Sequence, residues 1–182
     1  MYSIHKSVDI DFAHQVRGHS GACVGVHGHT WKFEVGLAAA TLDAEGFVTD
    51  FGELKRQVLL PCHQLLDHSL AVGPATWAEG EAALEMLGTT LLSARLEVHG
   101  PDAALTTSGG GATDDLAGAR NVFPGGMKVA VFPFDPTSER LAAWLWRLAD
   151  ARLADERVRV VWARVYETLH PVAAVAEYRP DS

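Results

Sequence analysis

Apolar and polar residues alternate from Ile4 to His14, so that Ile4, Val8, Ile10, Phe12 and His14 share one face with Lys6. A period of two predicts a half-buried strand. The period returns over 29–41, where Trp31, Phe33, Val35 and Leu37 line one face. Between them, 15–26 is rich in Gly and His and reads as a loop, which predicts an antiparallel pair. After a turn at 43–46, Asp50 with Glu53 three residues on resembles a capping box. The helix it opens carries Leu54, Val58, Leu59, Leu65 and Leu66, and Pro61 is expected to kink or break it. Residues 77–97 read as a second helix with Leu84, Leu87 and Leu91 as its apolar stripe. Residues 99–127 are rich in Gly, Thr, Ser and Asp and predict a mobile loop, because ordering them costs backbone entropy and buries little. Residues 128–132 are strand-like. Asp135 is the expected N-cap of the next helix, with Pro136 at its first position and Leu141, Trp144, Leu145 and Leu148 on its buried face. Residues 157–167 and 172–178 are β-rich and close the chain. The order ββααββ, interrupted between the helices, predicts an α+β domain with helices on one face of an antiparallel sheet.

A length of 182 residues suits one domain, 1–182. Such a chain buries about 70% of its unfolded surface and needs no disulfide or structural metal to fold. It has no apolar run of membrane-spanning length and no apolar core near its start, so neither a membrane partner nor a signal peptide is expected. Two cysteines, Cys23 and Cys62, do not make a disulfide framework and point to a reducing cytoplasm. The net charge of −8 comes without a Lys/Arg stripe, so nucleic acid is not an expected partner.

Chemistry concentrates in the histidines. His27-Gly28-His29 in an extended segment places two imidazoles on one face, about 6.6 Å apart along the strand. His14 ends the first strand on the face of Ile10 and Phe12, so an antiparallel partner brings it beside them. Three neutral imidazoles with an open fourth position describe a catalytic zinc site; the alternative is three unrelated histidines. Cys23 stands four residues before His27, where a cation and Arg17 would favour its thiolate; otherwise it is a small buried hydrophobe, the reading given to Cys62. Asp67 beside His68 suits a proton shuttle or a helix-end histidine. Glu167 ends an apolar row of Val161, Ala163 and Val165, where a buried carboxylate needs a partner with N–H donors. No His-Glu-x-x-His is present, which argues against a zinc hydrolase of another fold.

Together these residues resemble the family of 6-pyruvoyltetrahydropterin and 6-carboxy-5,6,7,8-tetrahydropterin synthases. The likeness runs in order through Phe12-Ala13-His14, Cys23 to His27-Gly28-His29, Gly46-Phe47-Val48-Thr49-Asp50-Phe51, Leu54-Lys55, Leu66-Asp67-His68, Pro136-Thr137-Ser138-Glu139 and Glu167-Thr168. It covers 2–68 and 135–178. The short Cys-to-His spacing is closest to the carboxytetrahydropterin synthases of 7-deazaguanine (queuosine-type) biosynthesis. The pyruvoyl enzymes carry more residues there, and a folate-linked relative carries Glu near the Cys position.

The resemblance implies the tunnelling fold, a four-stranded antiparallel sheet with two helices on one face. It implies a homo-oligomer, a hexamer of two trimeric rings, with active sites between subunits. By the same resemblance His14, His27 and His29 hold Zn²⁺, Cys23 is the base, Asp67 and His68 form the second proton carrier, and Glu167 grips a pterin. The substrate would be 7,8-dihydroneopterin triphosphate. Alternatives are the pyruvoyl-type elimination of triphosphate, or a non-catalytic pterin-binding oligomer with structural zinc. The stretch 69–134 departs from the family as an insertion of about 60 residues, expected to be a lid, an assembly element or a change of specificity.

Overall fold

The structure, a computed structural model, describes residues 1–86, 91–98, 105–108, 127–171 and 173–181. The two alternating segments form long strands, β1 (Tyr2–His14) and β2 (His27–Ala39). They pair antiparallel without a break from Tyr2↔Ala39 to His14↔His27. Trp31, Phe33, Val35 and Leu37 are fully buried. Phe12 stacks on Trp31 with ring centroids 4.7 Å apart, and the Trp31 indole N–H donates to the Phe12 carbonyl at 3.1 Å. Each such side chain taken out of water stabilises the fold by about 1.5–3 kcal/mol before entropy is counted.

The helix α1 runs in three parts: α-helical Phe51–Leu54, π-helical Lys55–Leu59 and α-helical Leu60–Leu66. Asp50 is its N-cap, accepting from the Gly52 N–H at 2.8 Å. Glu53 does not close a capping box; it pairs with Arg56, which holds its carboxyl below the usual carboxylate range. Pro61 does not break the helix. The π-helical stretch lies immediately before the turn that contains it, and the Gln57 carbonyl, four residues back, accepts instead from the Arg152 guanidinium at 2.6 Å. A neighbouring element thus replaces the donor that proline lacks.

The 69–134 stretch contributes β3 (Leu70–Val72), α2 (Pro74–Met86), β4 (Leu91–Val98), β5 (Leu105–Ser108) and β6 (Met127–Val131). After it come α3 (Ser138–Leu153), β7 (Val158–Thr168) and β8 (Ala174–Tyr178). One eight-stranded sheet results, in the order β5-β4-β6-β3-β1-β2-β7-β8. The expected four antiparallel strands are its β1-β2-β7-β8 half, with α1 and α3 packed into one core against them. The other half, four strands where one was foreseen, comes entirely from 69–134.

Three sequence expectations change here. The helix expected over 77–97 ends at Met86, and Leu91 opens a strand; Leu87 lies outside the described residues. The loop expected over 99–127 contains β5, while 99–104 and 109–126 lie outside them. The N-cap of α3 is Thr137, whose hydroxyl accepts from the Arg140 N–H, and not Asp135. Pro136 therefore precedes the helix and keeps its carbonyl free for another partner.

Two bulges shape β7. Gly36 pairs with Trp162 but Leu37 with Val160, which leaves Val161 as the extra residue. The buried row is thus Val158, Val160, Ala163 and Val165, and Val161 is not in it, contrary to the strict alternation. Gly36 makes room at this point: a Cβ there would come within 2.3 Å of the Trp162 ring. The second bulge lies between Tyr166 and Thr168, at Glu167. A bulge re-aims the side chain it carries.

Candidate metal centre

The register of β1 and β2 builds the site. His14 faces His27 directly across the strands, and His29 follows two residues on, beside Trp31. The Trp31 indole meets both His14 and His29 edge to face, with centroids 4.9 and 5.5 Å away. It forms an apolar floor that fixes two of the three rings.

Backbone carbonyls fix the nitrogens. His14 Nδ1 donates to the Pro136 carbonyl at 2.9 Å, and His27 Nδ1 donates to the Gly25 carbonyl at 2.9 Å. A carbonyl only accepts, so in the neutral rings both protons sit on Nδ1 and both Nε2 atoms present lone pairs. Yet these two Nε2 atoms stand 3.1 Å apart. Two lone pairs at that distance repel unless a cation lies between them. Nitrogens bound at 2.0–2.1 Å to one tetrahedral ion stand about 3.3 Å apart. His29 Nε2 is buried and has no hydrogen-bond partner among the described residues, and a metal ion would satisfy it. Burial, followed by the neighbouring imidazoles, pushes the His14 pKa down against the opposing pull of the Pro136 carbonyl, which keeps its ring neutral and able to ligate. The donor set fits a metal.

Glu167 and Cys23 reach the same point. Glu167 Oε1 lies 3.6 Å from both His14 Nε2 and His29 Nε2. Single ligand atoms of His14, Cys23, His27 and Glu167 all fall within 4.8 Å of one another. Five of the residues singled out in the sequence are therefore brought together. Cys62 is apart: it is wholly buried in α1, and burial pushes its thiol up to about 12.

Asp67 and His68 pair with each other, His68 Nδ1 standing 3.0 Å from Asp67 Oδ2. His68 adopts a left-handed φ of 58° and donates its N–H to the Asp11 carbonyl at 2.8 Å, which fastens it to the edge of β1. Its side chain is 82% exposed. Arg17, expected to act on Cys23, is committed elsewhere: its guanidinium grips Glu79 of α2 by two hydrogen bonds of 2.5 and 2.6 Å. Sequence reasoning missed Glu79 and the two orienting carbonyls. A carbonyl's role carries no residue signature, and nothing in the chain marks a contact 62 residues apart.

An α+β protein with a candidate metal centre of strand-end histidines is the class that fold and site define. The chain belongs to the 6-pyruvoyl tetrahydropterin synthase family, whose profile matches residues 3–180. A Bacillus subtilis protein named 6-carboxy-5,6,7,8-tetrahydropterin synthase is 37% identical over 70 residues, 38% of this chain and 45% of that protein. A Haemophilus influenzae protein of the same name is 30% identical over 86 residues, 46% of this chain and 61% of that one. The chain thus spans about half the length of the curated relatives it matches. Among solved structures, an uncharacterized protein from Wolinella succinogenes aligns over 99% of this chain and 98% of its own, with a TM-score of 0.67 at 22% identity. The Caenorhabditis elegans 6-pyruvoyl tetrahydropterin synthase covers 99% of this chain and 96% of its own at a TM-score of 0.53 and 14% identity. These two likenesses bear on the fold. No helix among the described residues is long and apolar enough to cross a membrane.

Proposed function

We propose that this single-domain chain is a zinc-dependent 6-carboxy-5,6,7,8-tetrahydropterin synthase of the cytoplasm. It would convert 7,8-dihydroneopterin triphosphate to 6-carboxytetrahydropterin, acetaldehyde and triphosphate, in 7-deazaguanine biosynthesis. The observation that carries the reading is the 3.1 Å approach of the His14 and His27 Nε2 atoms, with Cys23 within reach of both and His29 Nε2 beside Glu167. The family match and the relatives' shared name support the reaction class.

His14, His27 and His29 would hold the ion, and an all-imidazole set suits zinc. When bound, zinc supplies Lewis acidity to the hydroxyls of the substrate side chain. Cys23, as thiolate, takes the proton from the side-chain carbon next to the pterin ring. Asp67 holds His68 in one tautomer so that His68 carries the second proton. Glu167 accepts paired N–H groups of the aminopyrimidine and sets the ring's orientation. A ligand set that included Cys23 or Glu167 would leave the reaction without its base or its anchor.

The site would be completed between subunits of a homohexamer built as a barrel. Two features support assembly. The edge of β1 beyond Ala13 and His14, and the outer edge of β8, have no strand partner among the described residues. Open edges of this length call for cover. His68, mostly exposed, is available to a neighbouring copy's Cys23.

Product analysis after incubation with 7,8-dihydroneopterin triphosphate tests the proposal. The expected products are 6-carboxytetrahydropterin and acetaldehyde in equal amounts. A pyruvoyl product without acetaldehyde would replace the reading with triphosphate elimination alone. Bound pterin without turnover would leave only a binding protein.

A further inference from the structure

The loop that carries Cys23 is held at three levels. Within itself, the Val16 N–H donates to the Cys23 carbonyl at 2.9 Å, and the Gln15 amide donates to the Val24 carbonyl at 2.9 Å. At its root, the Gln15 N–H donates to the Ala71 carbonyl of β3 at 3.3 Å. At its flank, Arg17 is clamped by both carboxylate oxygens of Glu79. Among the described residues, this last contact is the side-chain bond that joins the loop to α2, and it bridges 62 residues of chain.

Glu79 is carried on a docked element. Trp77, two residues before it, is 8% exposed and packs with Val72 and Val129 in a small core of their own. The Trp77 N–H donates to the Gly73 carbonyl at 3.0 Å, at the start of α2. Glu79 therefore stands on docked backbone, although its own side chain is 69% exposed. Arg17 also feels the charge of Asp135, the residue before the Pro136 that orients His14. The guanidinium thus ties the Cys23 loop to the helix of the 69–134 stretch and lies within electrostatic reach of Asp135.

We infer that Glu79 is a positioning residue: through Arg17 it holds the 15–26 loop so that Cys23 stays beside the histidine cluster. The assignment rests on the proposed synthase reaction for its kinetic consequence, but not for its structural one. An exposed, bidentate pair of this kind shifts the balance between a seated and an open loop by about two- to fivefold. That is too little to decide whether the protein folds and enough to decide how often the base is in place.

The test uses the full chain with its metal, as wild type, Glu79→Gln, and the charge-reversed double variant Arg17→Glu with Glu79→Arg. Cys23 is titrated with iodoacetamide at one fixed pH, where buried Cys62 serves as the unreactive internal control. Glu79→Gln is expected to alkylate Cys23 about two- to fivefold faster, and the double variant to return to the wild-type rate. Salt near 1 M, where the screening length falls to about 3 Å, should bring wild type to the variant's rate and leave the variant unmoved. With saturating substrate, Glu79→Gln should lower kcat by a similar factor while KM changes less. An alkylation rate untouched by the substitution and by salt overturns the assignment, whatever the enzyme does. A rise in kcat/KM would overturn it too, since that would mean Glu79 withholds Arg17 from the substrate's phosphates. If wild type fails to turn over dihydroneopterin triphosphate, the functional reading falls and the alkylation result still decides the role of Glu79.

Discussion

Strands β1, β2, β7 and β8 pair antiparallel, whereas β3 lies parallel to both β1 and β6, and β6 lies parallel to β4. The antiparallel half has a ladder running unbroken from Tyr2↔Ala39 to His14↔His27 and one large core shared with α1 and α3. The β3 side is joined to it through two ladder pairs, Ala13↔Leu70 and His14↔Ala71, lends Ala71 and Ala130 to that core, and has a second, small core of Val72, Trp77 and Val129. A continuous ladder with one buried face cannot slip by a single residue without turning every side chain over. The position of His14 opposite His27 is therefore as secure as the core itself. The other half needs less precision and contributes to the site from its border, through Glu79 and the β1 edge.

The sharpest way to probe the secure half is to separate its metal from its base. His29→Ala should lose most of the bound zinc while far-ultraviolet circular dichroism stays that of the wild type, because the core stands without it. Cys23→Ala should keep its zinc and lose about 10²- to 10⁴-fold in turnover, as expected for removal of a general base. Elemental analysis and single-turnover kinetics on both variants give the answer. Zinc lost from Cys23→Ala would make the thiol a ligand, as its place within 4.8 Å of His14 and Glu167 also allows, and would remove it as the base.

Core substitutions test whether the halves carry stability unequally. Trp144 is 2% exposed in the large core and Trp77 is 8% exposed in the small one. Trp144→Ala should cost about 3–5 kcal/mol in denaturant unfolding, because a large cavity opens in a core that cannot collapse around it. Trp77→Ala should instead speed hydrogen exchange across β3 and α2 while the unfolding midpoint of the antiparallel half moves little. Equal falls in one shared transition would show the sheet to be a single cooperative unit and would dissolve the distinction.

The same contrast explains what could be read from sequence. Period-two alternation marked β1 and β2 to within two residues, and with them the convergence of His14 and His27. The half built from 69–134 was misread because its strands are short and a helical leucine spacing overlaps the longest of them. Leu91–Val98 does alternate, with Leu92, Ala94, Leu96 and Val98 opposed to Ser93, Arg95 and Glu97, but Leu84, Leu87 and Leu91 carry a helical spacing into it, and the two periods compete over so short a run. The bulges were invisible for a related reason: one extra residue at Val161 reverses the parity of the row that follows, and no residue type announces it. Arg17 was assigned to Cys23 because it is near in sequence, whereas the partner that wins its charge is a carboxylate brought in by tertiary packing.

The smallest expected effect, and the one that reports on both halves at once, is on acid stability of the metal-free protein. Burial lowers the His14 pKa below its usual 6.5, so the folded state holds this ring neutral while the unfolded chain protonates it. The stabilisation is present above 6.5 and is lost as pH falls from there through the folded value, with a slope of at most about 1.4 kcal/mol per pH unit for one proton. Residues 69–86 contain no histidine. Their link to the loop, Glu79, has its pKa lowered from 4.5 by Arg17, so that pair persists until pH falls below that range. Two windows follow. Hydrogen exchange at the His14 and His27 ends of β1 and β2 should accelerate first, just below pH 6.5, and exchange in α2 only under more acid conditions. His14→Gln should remove the first window and leave the second. Acceleration of both regions together at pH 6 would mean that the border between the halves, and not His14, is the acid-sensitive element.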